Sequence, residues 1–147
     1  MEIAIIADDK KKGLLVEFCL AYLGILSKHR VYATSKTAKY IQDTAGLKVE
    51  SLSPGDLGGI EQLTSRISYN EIDLLIFLRD PLQEDYTSRV NVSEVLRACD
   101  LHNIPVATNI GTAEVIVHAI ERGDFGWREI ENPRSDYNMR RKGRYYK

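Results

Sequence analysis

The sequence predicts an α/β protein, a three-layer α/β/α sandwich around a mainly parallel five-stranded sheet. Leu74 to Leu78 is an unbroken apolar run, too short for a membrane span and suited to a strand covered on both faces. Strand-like and helix-like patterns then alternate five times along the chain, the order expected of repeated right-handed crossovers. A length of 147 residues makes a single domain over 1–147 the default.

Glu2 to Ala7 is a short, nearly continuous apolar run and the expected first strand. The charged segment Asp8 to Lys12 opens a helix marked by Leu14, Leu15, Phe18, Cys19, Tyr22 and Leu23 at helical spacing. Asp9 near that helix start suits the dipole, whereas Lys10, Lys11 and Lys12 oppose it; a bound anion would account for them, as would plain solvation. His29 to Ala33 is the second strand. It runs into Thr34-Ser35-Lys36-Thr37, and Thr37 begins a helix that stops near Gly46. Hydroxyls, backbone amides and a lysine at a strand-to-helix junction make a phosphate cradle, although Ser and Thr are also ordinary helix caps.

Leu47 to Leu52 is the third strand. The turn Ser53-Pro54-Gly55-Asp56-Leu57-Gly58-Gly59 follows it and enters a helix with Ile60, Leu63 and Ile67. This glycine content specifies a tight backbone whose amides can approach an anion. The apolar fourth strand ends in Arg79-Asp80-Pro81, which places Asp80 at the carboxyl edge of the sheet, where open α/β folds bind ligands. Gln83 to Arg89 is a polar loop and Val90 to His102 a helix; Ile104 to Ala107 is the fifth strand, and Gly111 to Arg122 the last helix. From Gly123 the pattern fails. A polar, basic tail from about residue 134 carries Arg140, Arg141, Lys142, Tyr145 and Tyr146, and is expected to be packed or frayed.

Apolar content of 44% and charged content of 28% are ordinary for a soluble globular chain. A net charge of -1 argues against a nucleic-acid partner, and the absence of a long apolar segment argues against a membrane. Cys19 and Cys99 both fall in apolar helical patterns, as buried thiols in a reducing cytoplasm would. His29, His102 and His118 lack metal-ligand spacing, so no metal site is expected.

The loops taken together resemble methylglyoxal synthase, over nearly the whole chain to about Arg122. The resemblance is carried by Ala7 to Lys12, Tyr32-Ala33-Thr34 with Thr37, Ser53 to Gln62, Asp80-Pro81-Leu82, and Asn103 to Asn109. It implies a homo-hexamer that converts dihydroxyacetone phosphate to methylglyoxal and inorganic phosphate with no metal or organic cofactor. It also implies phosphate or substrate binding by Lys12, Thr34, Lys36, Thr37, Ser53, Gly55, Gly58 and Gly59, with Lys36 replacing a hydroxyl of the family. Asp9 and Asp80 match acids of the family's active site.

The family's proton-abstracting aspartate directly follows the Gly-Gly pair. Here that position is Ile60, and Glu61 stands one residue later, about 100° further round a helix. Gln83 to Arg89 lacks the family's histidine, Asn91 stands near a further aspartate position, and Asp8 replaces a histidine beside Asp9. Two readings follow. In one the chain is a lyase using Asp9, Asp80 or Glu61 as the carboxylate that moves the proton. In the other it is a degenerate relative that binds or senses a phosphorylated metabolite.

Overall fold

The computed structural model describes residues 1–82 and 92–145. Five parallel strands form one sheet in the order β3-β2-β1-β4-β5: β1 (Glu2–Ala7), β2 (Arg30–Thr34), β3 (Glu50–Leu52), β4 (Leu74–Leu78) and β5 (Val106–Ala107). The expected α/β sandwich is therefore the observed fold. Chain order runs outward from β1 through β2 to β3 and then returns to β4 on the other side of β1. The switch point lies between β1 and β4, where Ala7 pairs with Leu78. Crevices at the carboxyl side of such a switch point are the usual ligand sites of open α/β sheets.

Side chains alternate across the sheet, and so each strand feeds two cores. On one face Ile3, Ile5, Leu74, Ile76 and Leu78 meet Leu15 and Phe18 of α1 (Lys12–Ala21). The same layer takes Leu26 of α2 (Leu23–Leu26), Ile41 of α3 (Ser35–Ala45), and Val117 and Ile120 of α6 (Ile110–Glu121). On the other face Ala4, Ile6, Leu75 and Phe77 meet Leu63 and Ile67 of α4 (Gly59–Ser68) and Val95 and Cys99 of α5 (Val92–Leu101). All five β4 residues are buried, as an all-apolar central strand requires.

Several boundaries differ from expectation, most of all at the sheet edges. β3 spans Glu50–Leu52 rather than Leu47 to Leu52, and β5 only Val106–Ala107 rather than Ile104 to Ala107. Both are edge strands with one neighbour, so their ladders are short, although Leu47, Val49 and Ile104 remain buried. The tail does not stay irregular. It forms α7 (Arg128–Glu131) and α8 (Asp136–Tyr145). Ser135 explains the second of these, because its Oγ accepts the Asn138 amide at 3.1 Å in an N-cap contact. The expected loop Gln83 to Arg89 and Asn91 lie outside the described residues.

The start of α7 closes the amino edge of the sheet. Arg128 is fully buried there: its Nε donates to Asp73 Oδ1 at 3.2 Å and its Nη2 to Asn70 Oδ1 at 2.8 Å. Two main-chain oxygens, those of His102 and Ile72, accept from the same guanidinium at 3.1 and 2.9 Å. Asp73 in turn accepts the Glu2 amide at 2.7 Å and Asn132 Nδ2 at 2.9 Å, so neither charge is left unsolvated.

Candidate functional site

The ends of β1 and β4 are tied together by one carboxylate. Asp8 continues the β1 ladder by donating its amide to the Leu78 carbonyl at 3.0 Å. Its side-chain Oδ2 then accepts the Asp80 amide at 2.7 Å. Asp80 Oδ1 accepts the Leu82 amide at 3.0 Å, an Asx turn that holds the carboxyl at the sheet edge. Arg79 donates its amide to Thr108 at 3.3 Å, which links the β4 exit to the β5 exit. Asp8 was not among the expected site residues. A short acid directly after a strand was the available signal, and only the fold shows which amide it takes.

After Asp8 the chain makes a 3-10 turn over Asp9–Lys11, and α1 begins at Lys12. Lys12 Nζ bonds Asp9 Oδ1 at 2.8 Å; the lysine side chain is 21% exposed and the aspartate side chain 92%. Such a pair adds little stability.

α3 starts at Ser35, two residues earlier than the predicted start at Thr37. Thr34 is its N-cap residue in extended conformation, and the Thr34 side chain makes no capping bond. Its hydroxyl therefore leaves the first-turn amides to another acceptor. Thr37 is buried at 4% exposure on the inner side of the same turn. The Ser35 amide reaches the Ser53 carbonyl at 3.5 Å, bringing the glycine-rich turn against the start of α3.

That turn is held from within. Pro54 accepts the amides of Leu57 and Gly59, each at 2.9 Å, and Gln62 Oε1 accepts the Ser53 amide at 2.9 Å. Gly58 sits at φ +97°, a left-handed conformation that favours glycine. At Gly59 a Cβ would collide with the Ser53 carbonyl oxygen and come within 2.9 Å of Pro54 O and Thr34 Cγ2. Gly58→Ala is expected to cost about 1–2 kcal/mol. Gly59→Ala should cost more than this, because backbone has to move, and urea unfolding of the two variants checks the order.

The structure brings Asp9, Lys12 and Lys36 to one pocket, and Thr34, Gly55 and Ile60 to one another. A Cβ on Gly55 would lie 3.8 Å from Ile60 Cγ1 and 4.0 Å from Thr34 Oγ1. Position 60 therefore presents an aliphatic side chain to the cradle. Glu61 is not brought to this group; it lines a shallow depression with Gly58, Gln62, Arg66 and Arg134. His29 and His102 lie at the amino edge, where His29 Nδ1 meets the Met1 amine at 3.0 Å and His102 Nε2 the Ser68 carbonyl at 2.9 Å. Burial pushes both Cys19 and Cys99 thiols up to about 12, so neither supplies a thiolate at neutral pH. Among the described residues no cluster of three or more His, Cys, Asp or Glu could hold a metal, and no helix is long and apolar enough to cross a membrane.

Residues 15–108 match the family model described as the MGS-like domain. A methylglyoxal synthase of Caldicellulosiruptor saccharolyticus is 54% identical over 138 residues, covering 94% of this chain and 97% of that protein. One from Clostridioides difficile is 42% identical over 135 residues, covering 92% of this chain and 98% of its own. Among solved structures, a methylglyoxal synthase from Elizabethkingia anophelis superposes with a TM-score of 0.71 at 37% identity, covering 79% of this chain and 76% of that one. The structure of ForH, at 22% identity and a TM-score of 0.52 over 83% of this chain and 80% of that one, shares the fold.

Proposed function

The chain belongs to the MGS-like domain family, and from that premise we propose that it is a methylglyoxal synthase-type lyase acting on dihydroxyacetone phosphate. The observation that carries this reading is the convergence of Asp9, Lys12 and Lys36 on one pocket at the starts of α1 and α3, with Thr34 meeting the Gly55 turn where β2 and β3 end. The phosphate of the substrate would be held by the Lys12 ammonium, the hydroxyls of Thr34, Thr37 and Ser53, and the tight Gly55, Gly58 and Gly59 backbone. Lys36 adds charge at the first turn of α3.

In the reaction a carboxylate removes the carbon-bound proton next to the substrate carbonyl. The electron pair forms an enediolate, then expels phosphate as the carbon–oxygen bond breaks, and the enol left behind tautomerises to methylglyoxal. Asp80 is the best anchored candidate for the base, because Asp8 fixes its amide and the Leu82 amide fixes one carboxyl oxygen. Asp9 enters paired with Lys12, and Glu61 would have to act from its separate depression. By the family resemblance the assembly is a homo-hexamer in the cytoplasm, and a monomer in sedimentation would remove that part.

Ile60 favours a second reading. An aliphatic side chain beside Thr34 and Gly55 abstracts no proton, while the anion-binding frame is kept, as in a protein that only binds a phosphorylated metabolite. Two measurements separate the readings. Calorimetry should show phosphate and dihydroxyacetone phosphate binding, with Lys12→Ala weakening both by about 10- to 100-fold, the scale of a lost charged hydrogen bond. A methylglyoxal assay on the native chain, Asp9→Asn, Asp80→Asn and Glu61→Gln should then give turnover that one variant abolishes without loss of binding. Binding without any turnover would leave the second reading standing alone.

A further inference from the structure

The pocket of Asp9, Lys12 and Lys36, about 480 Å³ in volume, extends between the starts of α1 and α3. Its remaining walls are Gly13 of α1 and Lys39, Tyr40 and Asp43 of α3. None of these four is needed to hold a triose phosphate in the cradle. Lys36, Lys39, Tyr40 and Asp43 follow the spacing that stacks one helix face, so this face of α3 looks onto Lys12 and Gly13.

The charge arrangement is unfavourable without a ligand. Lys36 lies in the first turn of α3, where a cation opposes the helix dipole, and Lys39 repeats the charge three residues on. Lys12 is already paired with Asp9. Among the described residues the ion pairs include neither Lys36 nor Lys39. Asp43, further along the helix, leaves the pocket with an excess of positive charge at the end nearest the cradle. The lysine stems and the half-exposed Tyr40 ring supply an apolar wall below the ammonium groups. The space at Gly13 is open, since a Cβ there would meet nothing within 4 Å.

We propose that this pocket holds a second phosphoryl group, so that the site takes a small bisphosphorylated metabolite with one phosphate in the cradle and the other between α1 and α3. The proposal rests on the phosphate cradle described above and extends it to the ligand's far end. A phosphoryl dianion suits Lys36 and Lys39 together better than a single carboxylate would.

The test is calorimetry of the full chain with inorganic phosphate, fructose 6-phosphate and fructose 1,6-bisphosphate. The bisphosphate should bind at least about tenfold more tightly than the monophosphate, the scale of one charge-assisted contact. Lys39→Gln and Gly13→Leu should each remove that preference while leaving inorganic phosphate affinity unchanged. Gly13→Leu fills the pocket from a helical position where leucine is a better helix former, so loss of fold is not expected to confuse the result. Equal affinity for the two sugars, or a preference that survives both variants, overturns the second subsite alone. Failure of inorganic phosphate to bind at all overturns the cradle and the subsite together.

Discussion

Arg128→Leu is expected to destabilise the protein by about 3–5 kcal/mol, the scale of a buried ion pair broken on one side. For a chain of this size that is a fall in melting temperature of about 10 °C or more. The reason is what stays behind. Asp73 keeps its Glu2 and Asn132 donors but loses its ion-pair partner. The Asn70 side chain and the His102 and Ile72 carbonyls lose donors in the same step. Leucine fills part of the volume and satisfies none of these groups. A paired Asp73→Asn change should recover part of the loss, because it removes the buried charge that Arg128 had neutralised. Additive losses in the double variant would show that the two residues do not act as a pair. Phosphate affinity measured below the transition should be unchanged, since the network lies at the amino edge and the candidate site at the carboxyl edge.

This network also shows where reading the sequence stopped. A regular element announces itself by repetition, and a single buried arginine repeats nothing. Arg128 stands in a polar stretch between Trp127 and Glu129, indistinguishable by pattern from the exposed arginines that follow it. The better signal was Asp73. An acid between Ile72 and Leu74, at the entrance to a strand buried on both faces, must find a partner, and that partner had to come from a distant segment. The strands and major helices were legible because their periods survive small errors at the ends. The edge strands were read too long for a related reason. Leu47, Val49 and Ile104 are buried and look like strand, yet they lie outside the ladder.

At the site the sequence showed which loops matter more clearly than which side chains meet. Thr34, Gly55 and Gly59 were read as a candidate cradle from their residue types, and the crowding at Gly59 gives that glycine a physical reason of its own. The tie from Asp8 to the Asp80 amide was not readable, because it joins residues 72 apart in sequence. Nor could helical spacing alone place Lys39 and Tyr40 in the pocket of Lys12, since that depends on how α1 and α3 sit side by side.

Ile60→Asp is expected to raise methylglyoxal formation above the native rate, by up to the about 10²–10⁴-fold that a positioned general base contributes where none acts. The backbone is ready for the change. Residue 60 lies in the first turn of α4, where the dipole favours a carboxylate, and its carbonyl keeps its bond from Thr64 Oγ1 at 2.9 Å. Ile60 is half-buried at the rim of the core that holds Ile6, Leu63 and Phe77, so the lost packing should cost about 1–2 kcal/mol. A carboxylate beside Thr34 and Gly55 also repels the substrate phosphate, so the affinity for inorganic phosphate should fall as turnover rises. The two effects in opposite directions are the signature to look for. Ile60→Asn is the control, since it has nearly the same shape as aspartate without the basic oxygen, and it should weaken neither binding nor the native rate. A gain with Asp and none with Asn would locate the missing proton acceptor at position 60. No gain with Asp, while dihydroxyacetone phosphate still binds, would mean that the native base is one of Asp9, Asp80 or Glu61, or that the chain binds its ligand without turning it over. The variants at those three acids then decide between these two.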